Sequence, residues 1–304
     1  RLICIQEVRS SILLGSTIHL LYGLRKLEAV MKIAAITMVY QDHWALKEWV
    51  RHYGEQLGKD NLFIFAHGKD DIINRIADGA NVITIPRDDL TGFDRKRSEL
   101  MNGLHQGLSQ VYDWIIRTDA DELICTDPNI YPTLWEMFDA NADAEALFAL
   151  GFDLVETRFE PSMQLSFTGH YSKAFATIGL PLSMHGVRLP KRRLNQFDYR
   201  MPDGTYLAHL KYANMEALSK ANTVRQSIAS GSEAGLPGEA WRIAEADSDK
   251  FLSTFNAKPI VDWVQAVDEA RSLTEATTLH RANVIKTRSF RTKYRAIPPD
   301  WLTR

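Results

Sequence analysis

The feature that most constrains the fold is a regular alternation of strand-like and helix-like segments that begins at Met31. "KIAAITMV", residues 32–39, is an almost continuous apolar run of strand length, typical of a strand buried in a parallel sheet. The segment "WALKEWVRHYGEQLG" follows it and has apolar side chains at spacings of three and four residues, which predicts one buried helix face. That face comprises Leu46, Trp49, Val50, Tyr53 and Leu57.

The same alternation continues through residue 125. The strand-like stretches are "NLFIFAHG", "NVITIPRD" and "DWIIRTDADELI", and the helix-like ones between them are "DDIINRIADG" and "DRKRSELMNGLHQGLSQV". This order predicts an α/β protein with a mostly parallel sheet flanked by helices, followed by a mixed α+β carboxyl-terminal part that includes "ALFALGFDLVET" as one or two strands. In such sheets ligands bind beyond the carboxyl ends of the strands.

Composition narrows the class of partner. The 304 residues carry a net charge of −2, so nothing global indicates nucleic acid. No run reaches the ~18 apolar residues of a membrane helix. Cys4 and Cys125 lack a metal or redox spacing, which favours a reducing, cytoplasmic location. Basic segments at 188–200 and 281–295 are typical of a solvated face, and the alternative is a site for phosphates or for an anionic surface such as a membrane.

The first thirty residues precede the alternating pattern. The first methionine is Met31, which opens the first strong strand, and residues 1–30 lack the small-residue cleavage site of a secretory signal. We therefore interpret residues 1–30 as an upstream extension.

Three carboxylates, those of Asp119, Asp121 and Glu122, lie within four positions at the end of the strand-like "WIIRTDADELI". Such a cluster is costly unless arginines, bound protons or a divalent cation neutralise it. In an extended segment Asp119 and Asp121 point to one side and Glu122 to the other. The pattern predicts that the two aspartates share Mn²⁺ or Mg²⁺, with structural ion pairing as the alternative.

The chain resembles the family 2-type glycosyltransferases of the GT-A fold in the order of its amino-terminal segments. That order is the first strand, then "MVYQDHWALKEWVRHYGEQLG", "NLFIFAHG" and "IIRTDADELI". The resemblance covers residues 31–215. Beyond it, "ANMEALSKANTVRQSIA" and "PIVDWVQAVDEARSL" predict a helical region at 216–304 that packs on that domain. The resemblance implies a sugar transferred from a nucleotide-sugar donor to a glycan or lipid-linked acceptor. Asp119 would face the donor ribose or the metal, and Asp121 would ligate a divalent ion on the diphosphate.

The chain departs from that family at two places. Gln41-Asp42 follows the first strand, where many relatives have an Asn-Glu pair. The second strand ends in Ala66-His67-Gly68, where relatives usually have an acid. Asp42 is also predicted as the N-cap of the helix that begins near His43.

Basic side chains supply further candidates for binding. Arg95 and Arg97, near the start of the helix before the acids, could add positive charge near a diphosphate, or form a solvated helical turn. His209 and Lys211 in "YLAHLKYAN" would share one face of a strand. His209 would be a metal or phosphate ligand, with Lys211 beside it. His185, in "LSMHGVRLP", resembles an acceptor-side "HG" of the same subgroup, although a loop histidine is usually solvated.

An inverting transfer needs a base for the acceptor hydroxyl. Asp153 is our first candidate and Glu156 the second, because both follow the acid strand at a distance that allows return to the same cleft. The Gly-rich loop at 230–239 is either a lid or a plain surface loop.

Three alternative functions make different predictions about this sequence. A nucleotidyltransferase predicts a Gly-rich phosphate loop after the first strand, and "VYQDHW" contains no glycine. A phosphohydrolase needs a nucleophilic acid there, for which Asp42 is the candidate. A degenerate protein that binds glycans or partners without catalysis would be favoured by loss of the acids, which are present.

Overall fold

The computed structural model describes residues 31–88, 92–179, 198–230, 239–278 and 292–302. Residues from Lys32 onward form one compact unit. Among the described helices, none is both long enough and apolar enough to cross a membrane.

Twelve strands and seven α-helices are defined within the described residues. The strands are β1 (Ile33–Val39), β2 (Leu62–His67), β3 (Asn81–Ile85), β4 (Trp114–Arg117), β5 (Glu122–Thr126), β6 (Ala146–Glu156), β7 (Met163–Phe167), β8 (Lys173–Thr177), β9 (Tyr199–Arg200), β10 (Thr205–Tyr212), β11 (Ile260–Val261) and β12 (Arg295–Ala296). The helices are α1 (His43–Leu57), α2 (Asp71–Ile76), α3 (Phe93–Leu108), α4 (Leu134–Asp139), α5 (Met215–Ser230), α6 (Ala244–Asn256) and α7 (Trp263–Thr278).

The amino-terminal half is a parallel sheet in the order β4-β1-β2-β3. All seven residues of β1 are buried, as the apolar run predicted. Helices α1, α2 and α3 connect these strands in the predicted order. The expected α/β class with a Rossmann-like parallel half is therefore confirmed.

The carboxyl-terminal half extends the same sheet with mixed pairing, and β6 organises it. This single strand pairs antiparallel with β8 through residues 146–149 and antiparallel with β7 through residues 152–156. It also pairs in parallel with β10, where His209 lies opposite Asp153. The predicted mixed part is therefore joined to the parallel half by one continuous strand.

The segment "DWIIRTDADELI" was predicted as one strand, and this was wrong. The structure divides it into β4 and β5, with residues 118–121 between them, and the amide of Glu122 donates to the Asp119 carbonyl at 3.1 Å. The chain turns there because β5 leaves the parallel sheet and pairs antiparallel with β10. The two aspartates therefore lie in a turn, which we call the acid turn (residues 118–122), and the argument from strand alternation does not apply to them.

Helix α1 holds both sides of the acid turn. Asp42 is its N-cap, as predicted, and accepts a hydrogen bond from the Ala45 amide at 3.4 Å. The indole of Trp49 donates to Thr118 Oγ1 at 2.9 Å, and the Ile124 amide donates to the hydroxyl of Tyr53 at 2.9 Å. The predicted apolar face of α1 is thus buried against the sheet and also fixes the position of the carboxylates.

A buried histidine in α3 leads to a pH prediction. The side chain of His105 is 1% exposed, its Nε2 lies 2.8 Å from Thr177 Oγ1, and burial, with a smaller contribution from Arg117, lowers its pKa to about 4. The unfolded chain takes up this proton near pH 6.5, so the contribution to stability is complete above that pH and is lost as the pH falls toward 4. When the pH is lowered from 7 to 4.5, the free energy of unfolding should fall in both proteins. We expect the fall to be roughly 2 kcal/mol smaller in His105→Gln than in the wild type, as measured by urea denaturation. Parallel pH profiles for the two proteins would contradict the assignment.

Candidate functional site

The acid turn separates two adjoining cavities at the carboxyl ends of the parallel strands. The first cavity measures about 290 Å³ and lies against the ends of β1 and β2. The second measures about 330 Å³ and lies against β8 and β10. Of the residues that the structure describes, four line both cavities: Asp119, Asp121, Arg225 and Trp241. The carboxylates are therefore accessible from two sides.

Each acid of the turn has a cationic partner. Arg97 on α3 donates to the carboxylate of Asp119. Lys173 on β8 donates to Glu122 Oε1 at 2.6 Å, and the other oxygen of Glu122 accepts from the Asp119 amide at 3.1 Å. Burial raises the pKa of Asp119, but the charges of Arg97 and Lys173 outweigh it and hold that pKa below its usual value. The predicted cluster is thus largely neutralised by side chains that α3, β8 and β10 supply.

The partner of Asp121 is a buried histidine held from two sides. His209 Nε2 lies 3.3 Å from Asp121 Oδ2, and its Nδ1 lies 2.6 Å from Asp153 Oδ1. Burial lowers the pKa of His209, but the two carboxylates outweigh it and raise the value to about 9. At neutral pH the imidazole is therefore protonated and donates to both. The ring of Tyr171 stacks on it, with centroids 3.6 Å apart.

The charges of Asp42 and Arg225 also act on this cluster. Burial, together with the charge of Asp121, raises the pKa of Asp42. Arg225, on α5, opposes that effect, and its charge also helps to hold the pKa of Asp121 below its usual value against burial. Burial lowers the pKa of Lys211, and the neighbouring Arg225 lowers it further. The charge of Arg225 therefore acts on both Asp42 and Asp121, in addition to the cationic partners described above.

One part of the lining of the first cavity is aromatic and basic. Arg87 Nη1 donates to His67 Nδ1 at 2.8 Å, and the guanidinium carbon lies 3.5 Å from the ring centroid of Tyr40. The rings of His67 and Phe93 stack in parallel, with centroids 4.5 Å apart.

The structure brings most of the predicted site residues together. The first cavity is lined by Asp42, Arg97, Asp119 and Asp121. The second is lined by Asp119, Asp121, His209 and Lys211. His209 and Lys211 face the same cavity, as their alternate positions on one strand predicted.

Other predicted residues have different surroundings. Arg95 is exposed and forms a 3.9 Å pair with Glu99 of its own helix. Asp153 lies behind His209, and only 8% of its side chain is exposed. Glu156 is exposed and accepts from the Met215 amide at 2.8 Å, at the start of α5. His185 and most of the loop at 230–239 lie outside the described residues.

Several residues of the site were not found from the sequence. They are Tyr40, His67, Arg87, Phe93, Tyr171, Lys173, Arg225, Trp241 and Asp247. His67 had a usable signal, because it is a polar residue at the carboxyl end of a buried strand. Arg225 lies in a predicted helix where a charged residue ordinarily indicates a solvated face, and Lys173 lies in a segment with no recognised motif.

The arrangement of Asp121 and His209 suits a divalent cation. To bind a metal, His209 must release its Nε2 proton; a carboxylate oxygen and an imidazole nitrogen would then converge there, and both are ligands that Mn²⁺ accepts. Asp153 holds the other ring nitrogen, an arrangement that orients metal-bound histidines in many proteins. Among the described side chains, no ready-made group of three His, Cys, Asp or Glu ligands is present.

Comparison with known proteins gives structural neighbours alone. No protein-family model matches the chain, and no curated protein sequence matches it. Similar solved structures include a cytidylyltransferase from Leptospira borgpetersenii, at 14% identity and a TM-score of 0.26, covering 39% of this chain and 54% of that one. A mannose-1-phosphate geranyltransferase from Thermus thermophilus has 12% identity and a TM-score of 0.29, covering 68% and 69%. The mannosyltransferase Ktr4p from S. cerevisiae, in complex with GDP, has 12% identity and a TM-score of 0.24, covering 40% of each chain.

The chain spans about half the length of the cytidylyltransferase and 65% of a mycobacterial protein that it also resembles. TM-scores of this size do not define a relationship. The strand order of the chain itself therefore defines the fold class, and the site residues are the basis for its function.

Proposed function

We propose that this protein is a transferase with a nucleotide-diphosphate donor and, more specifically, a metal-dependent glycosyltransferase. One observation carries the proposal: Asp119 and Asp121 line both of two adjoining cavities at the carboxyl ends of parallel strands. A donor in one cavity and an acceptor in the other would meet at these carboxylates. Sites of this class of sheet lie at the same edge.

The lining of the first cavity suits the binding of a nucleotide diphosphate. Arg97 and Arg225 line it beside the acid turn and offer positive charge to phosphate oxygens. Asp121 and His209, with Asp119 beside them, would hold Mn²⁺ or Mg²⁺. When bound, this ion supplies stabilisation of the charge that develops on the diphosphate as its bond to the sugar breaks. Asp42 would contact the donor from the start of α1.

The lining of the second cavity suits a hydroxyl-rich acceptor, such as a glycan or the sugar of a lipid-linked acceptor. Its lining is polar and includes Lys211, Tyr171 and Asp247. Asp153 hydrogen-bonds His209 and does not line this cavity, so we propose that it acts by orienting the imidazole. The role of Glu156 as a base stays a prediction, as do the cytoplasmic location and a peripheral membrane contact.

The first experiment is calorimetric titration of nucleoside diphosphates into the protein with Mn²⁺ and with EDTA. We expect binding that weakens at least tenfold when the metal is removed or when Asp121 is replaced by Asn, because the ion then no longer links the carboxylate to the phosphates. Arg95→Ala is the matched control, since its exposed side chain pairs within its own helix.

The outcomes separate the alternatives. Tight binding that ignores both the metal and Asp121 would place the site elsewhere. No binding of any nucleotide would favour a non-catalytic binding protein. Slow release of nucleoside diphosphate from a nucleotide-sugar supports glycosyl transfer, whereas release of pyrophosphate from a nucleoside triphosphate would indicate a nucleotidyltransferase.

A further inference from the structure

The outer strands of a sheet expose unpaired backbone groups, and most of those that the structure describes are protected. Strands β9 and β11 are only two residues long. On β5, the amide of Ile124 donates to the Tyr53 hydroxyl and its carbonyl accepts from His52 Nε2 at 2.8 Å, so α1 covers that edge. Strand β3 is different. Its five residues, "NVITI", carry no charge and no proline and pair with β2 without a bulge. Such an edge is open to pairing with another strand.

The backbone of β3 shows which groups are available for that pairing. The Gly68 amide donates to the Ile85 carbonyl at 2.9 Å, so the backbone groups of Ile85 face β2. Backbone groups of alternate residues in a strand face opposite neighbours, so those of Val82 and Thr84 face away from β2. In the part of the chain that the structure describes, no strand pairs with this outer side. Val82 and Thr84 therefore each present an N–H donor and a carbonyl acceptor.

An apolar margin lies beside this edge. Ile83 and Ile85 share one face of the strand, and Ile85 packs against the core cluster between the sheet and α3. Ile83 is 39% exposed. On α3, Asn102 and His105 bind side chains of β4 and β8, so the opposite side of the helix, which carries Leu100, is directed toward β3. Leu100 is also 39% exposed, so strand and helix both leave an apolar side chain uncovered at this edge.

We propose that this edge pairs with the same edge of a second copy of the chain, which gives a two-fold homodimer with one continuous sheet. Antiparallel pairing of β3 with itself, centred on Ile83, places Val82 of each copy opposite Thr84 of the other. These two pairs exchange four backbone hydrogen bonds, all from groups that face outward. The two Ile83 side chains then face each other in a non-hydrogen-bonded pair, where side chains approach most closely. A second copy thus satisfies both the backbone edge and the apolar margin.

The flanking residues set this register. Pro86 occupies the next outward-facing position after Thr84 and has no N–H. At the other end, the Ala80 amide already donates to the Ala77 carbonyl at 2.8 Å. A register shifted along the strand in either direction would need a donor from Pro86 or Ala80. Pairing centred on Ile83 therefore makes the most hydrogen bonds.

The charges at the ends of β3 favour a second copy as the partner. Two-fold pairing brings the amino-terminal end of one β3 to the carboxyl-terminal end of the other. Lys59, Asp60 and Asp78 lie at the amino-terminal end, where Lys59 Nζ donates to the Asp78 carbonyl at 3.1 Å and the Asn81 side chain donates to the Asp60 carbonyl at 2.7 Å. The residues that follow the strand at its other end include a basic and an acidic one, in "PRD". Each end therefore offers the other a charge of opposite sign.

The first test is analytical ultracentrifugation across a dilution series, with wild-type protein beside Thr84→Pro. We expect the wild type to dimerise reversibly. Thr84→Pro removes half of the donors in the pairing, and the monomer tolerates proline there because this N–H faces outward. We expect the dissociation constant of its dimer to rise roughly tenfold or more. Thr84→Val is the matched control, because it keeps the N–H and a branched side chain and should leave the dissociation constant unchanged. Thermal melting shows whether each variant folds.

Ile83→Lys and Ile83→Glu test the register itself. Position 83 faces its own copy across the two-fold axis, so each variant alone places like charges opposite one another and is expected to be monomeric. An equimolar mixture of the two is expected to recover a dimer, because opposite charges then meet. Wild-type protein that is monomeric at every concentration would overturn the proposal. So would a dimer that folded Thr84→Pro and both charged variants leave intact, or one that the mixture fails to recover.

Discussion

Gly151→Ala is expected to destabilise the protein by about 3 kcal/mol or more, at the upper end of the cost of overpacking. Gly151 lies within β6, where its carbonyl accepts from the Thr168 amide at 2.9 Å and its amide is bonded to Ser172 Oγ at 2.9 Å. A Cβ atom there would lie 2.2 Å from the carbonyl carbon of Tyr171 and 2.7 Å from the amide nitrogen of Ser172. These are backbone atoms, so no rotamer change relieves the overlap.

Urea denaturation measures this effect, and Gly103→Ala is the matched control. Gly103 lies in α3, and an added Cβ meets no heavy atom within 4 Å. Its replacement is expected to leave stability unchanged or to raise it by about 0.5–1 kcal/mol, because alanine favours the helix. Equal stabilities of the two alanine variants would show that β6 and the segment at Tyr171 can separate without cost.

The same substitution has a consequence for the site. Tyr171 stacks on His209, and Lys173 binds Glu122, so both contacts depend on the segment that Gly151 allows to approach. A Gly151→Ala variant that still folds is therefore expected to lose metal-dependent nucleotide binding as well.

Lys173→Met is expected to cost about 3–5 kcal/mol of stability, because it leaves the carboxylate of Glu122 buried without its cation. The ion pair is 2.6 Å long, and the two side chains are 12% and 1% exposed. Burial lowers the pKa of Lys173, but Glu122 and Asp119 outweigh it and raise that pKa, so the ammonium is charged in the folded protein. Burial raises the pKa of Glu122 in spite of Lys173, so loss of the lysine would favour protonation of this carboxyl further. A buried charge of this kind has no solvent to replace its partner.

A double variant and an exposed pair make this prediction specific. Adding Glu122→Gln to Lys173→Met removes the unpaired charge and is expected to restore most of the lost stability in denaturant titrations. Lys220→Met is the matched control, because Lys220 and Glu216 are also 2.6 Å apart but are 75% and 79% exposed. We expect it to have little effect. A double variant as unstable as the single one would mean that Lys173 acts through packing alone.

The sequence by itself determined the features that depend on neighbouring residues. The apolar run of β1, the spacing of the buried face of α1 and the N-cap at Asp42 are local signals, and each agrees with the structure. Because strands and helices alternate, the sequence also predicts the parallel half and the sheet edge at which the two cavities lie. The acid turn was found for the same reason, as a polar cluster at the end of a buried strand.

The tertiary structure decided how that cluster is arranged. Asp119 and Asp121 lie in a turn because β5 pairs with β10, a strand more than seventy positions later, and no local pattern encodes that choice. The partners of the acids come from distant elements: Arg97 from α3, Lys173 from β8 and His209 from β10.

The same reason accounts for the residues that were missed. A lysine in a strand or an arginine on a helix has no local signature of burial, so Lys173 and Arg225 resemble solvated charges until the elements pack. Local periodicity fixes which face of an element is apolar. Which charged groups then meet depends on non-local strand pairing, and this pairing is what gave the acids their partners.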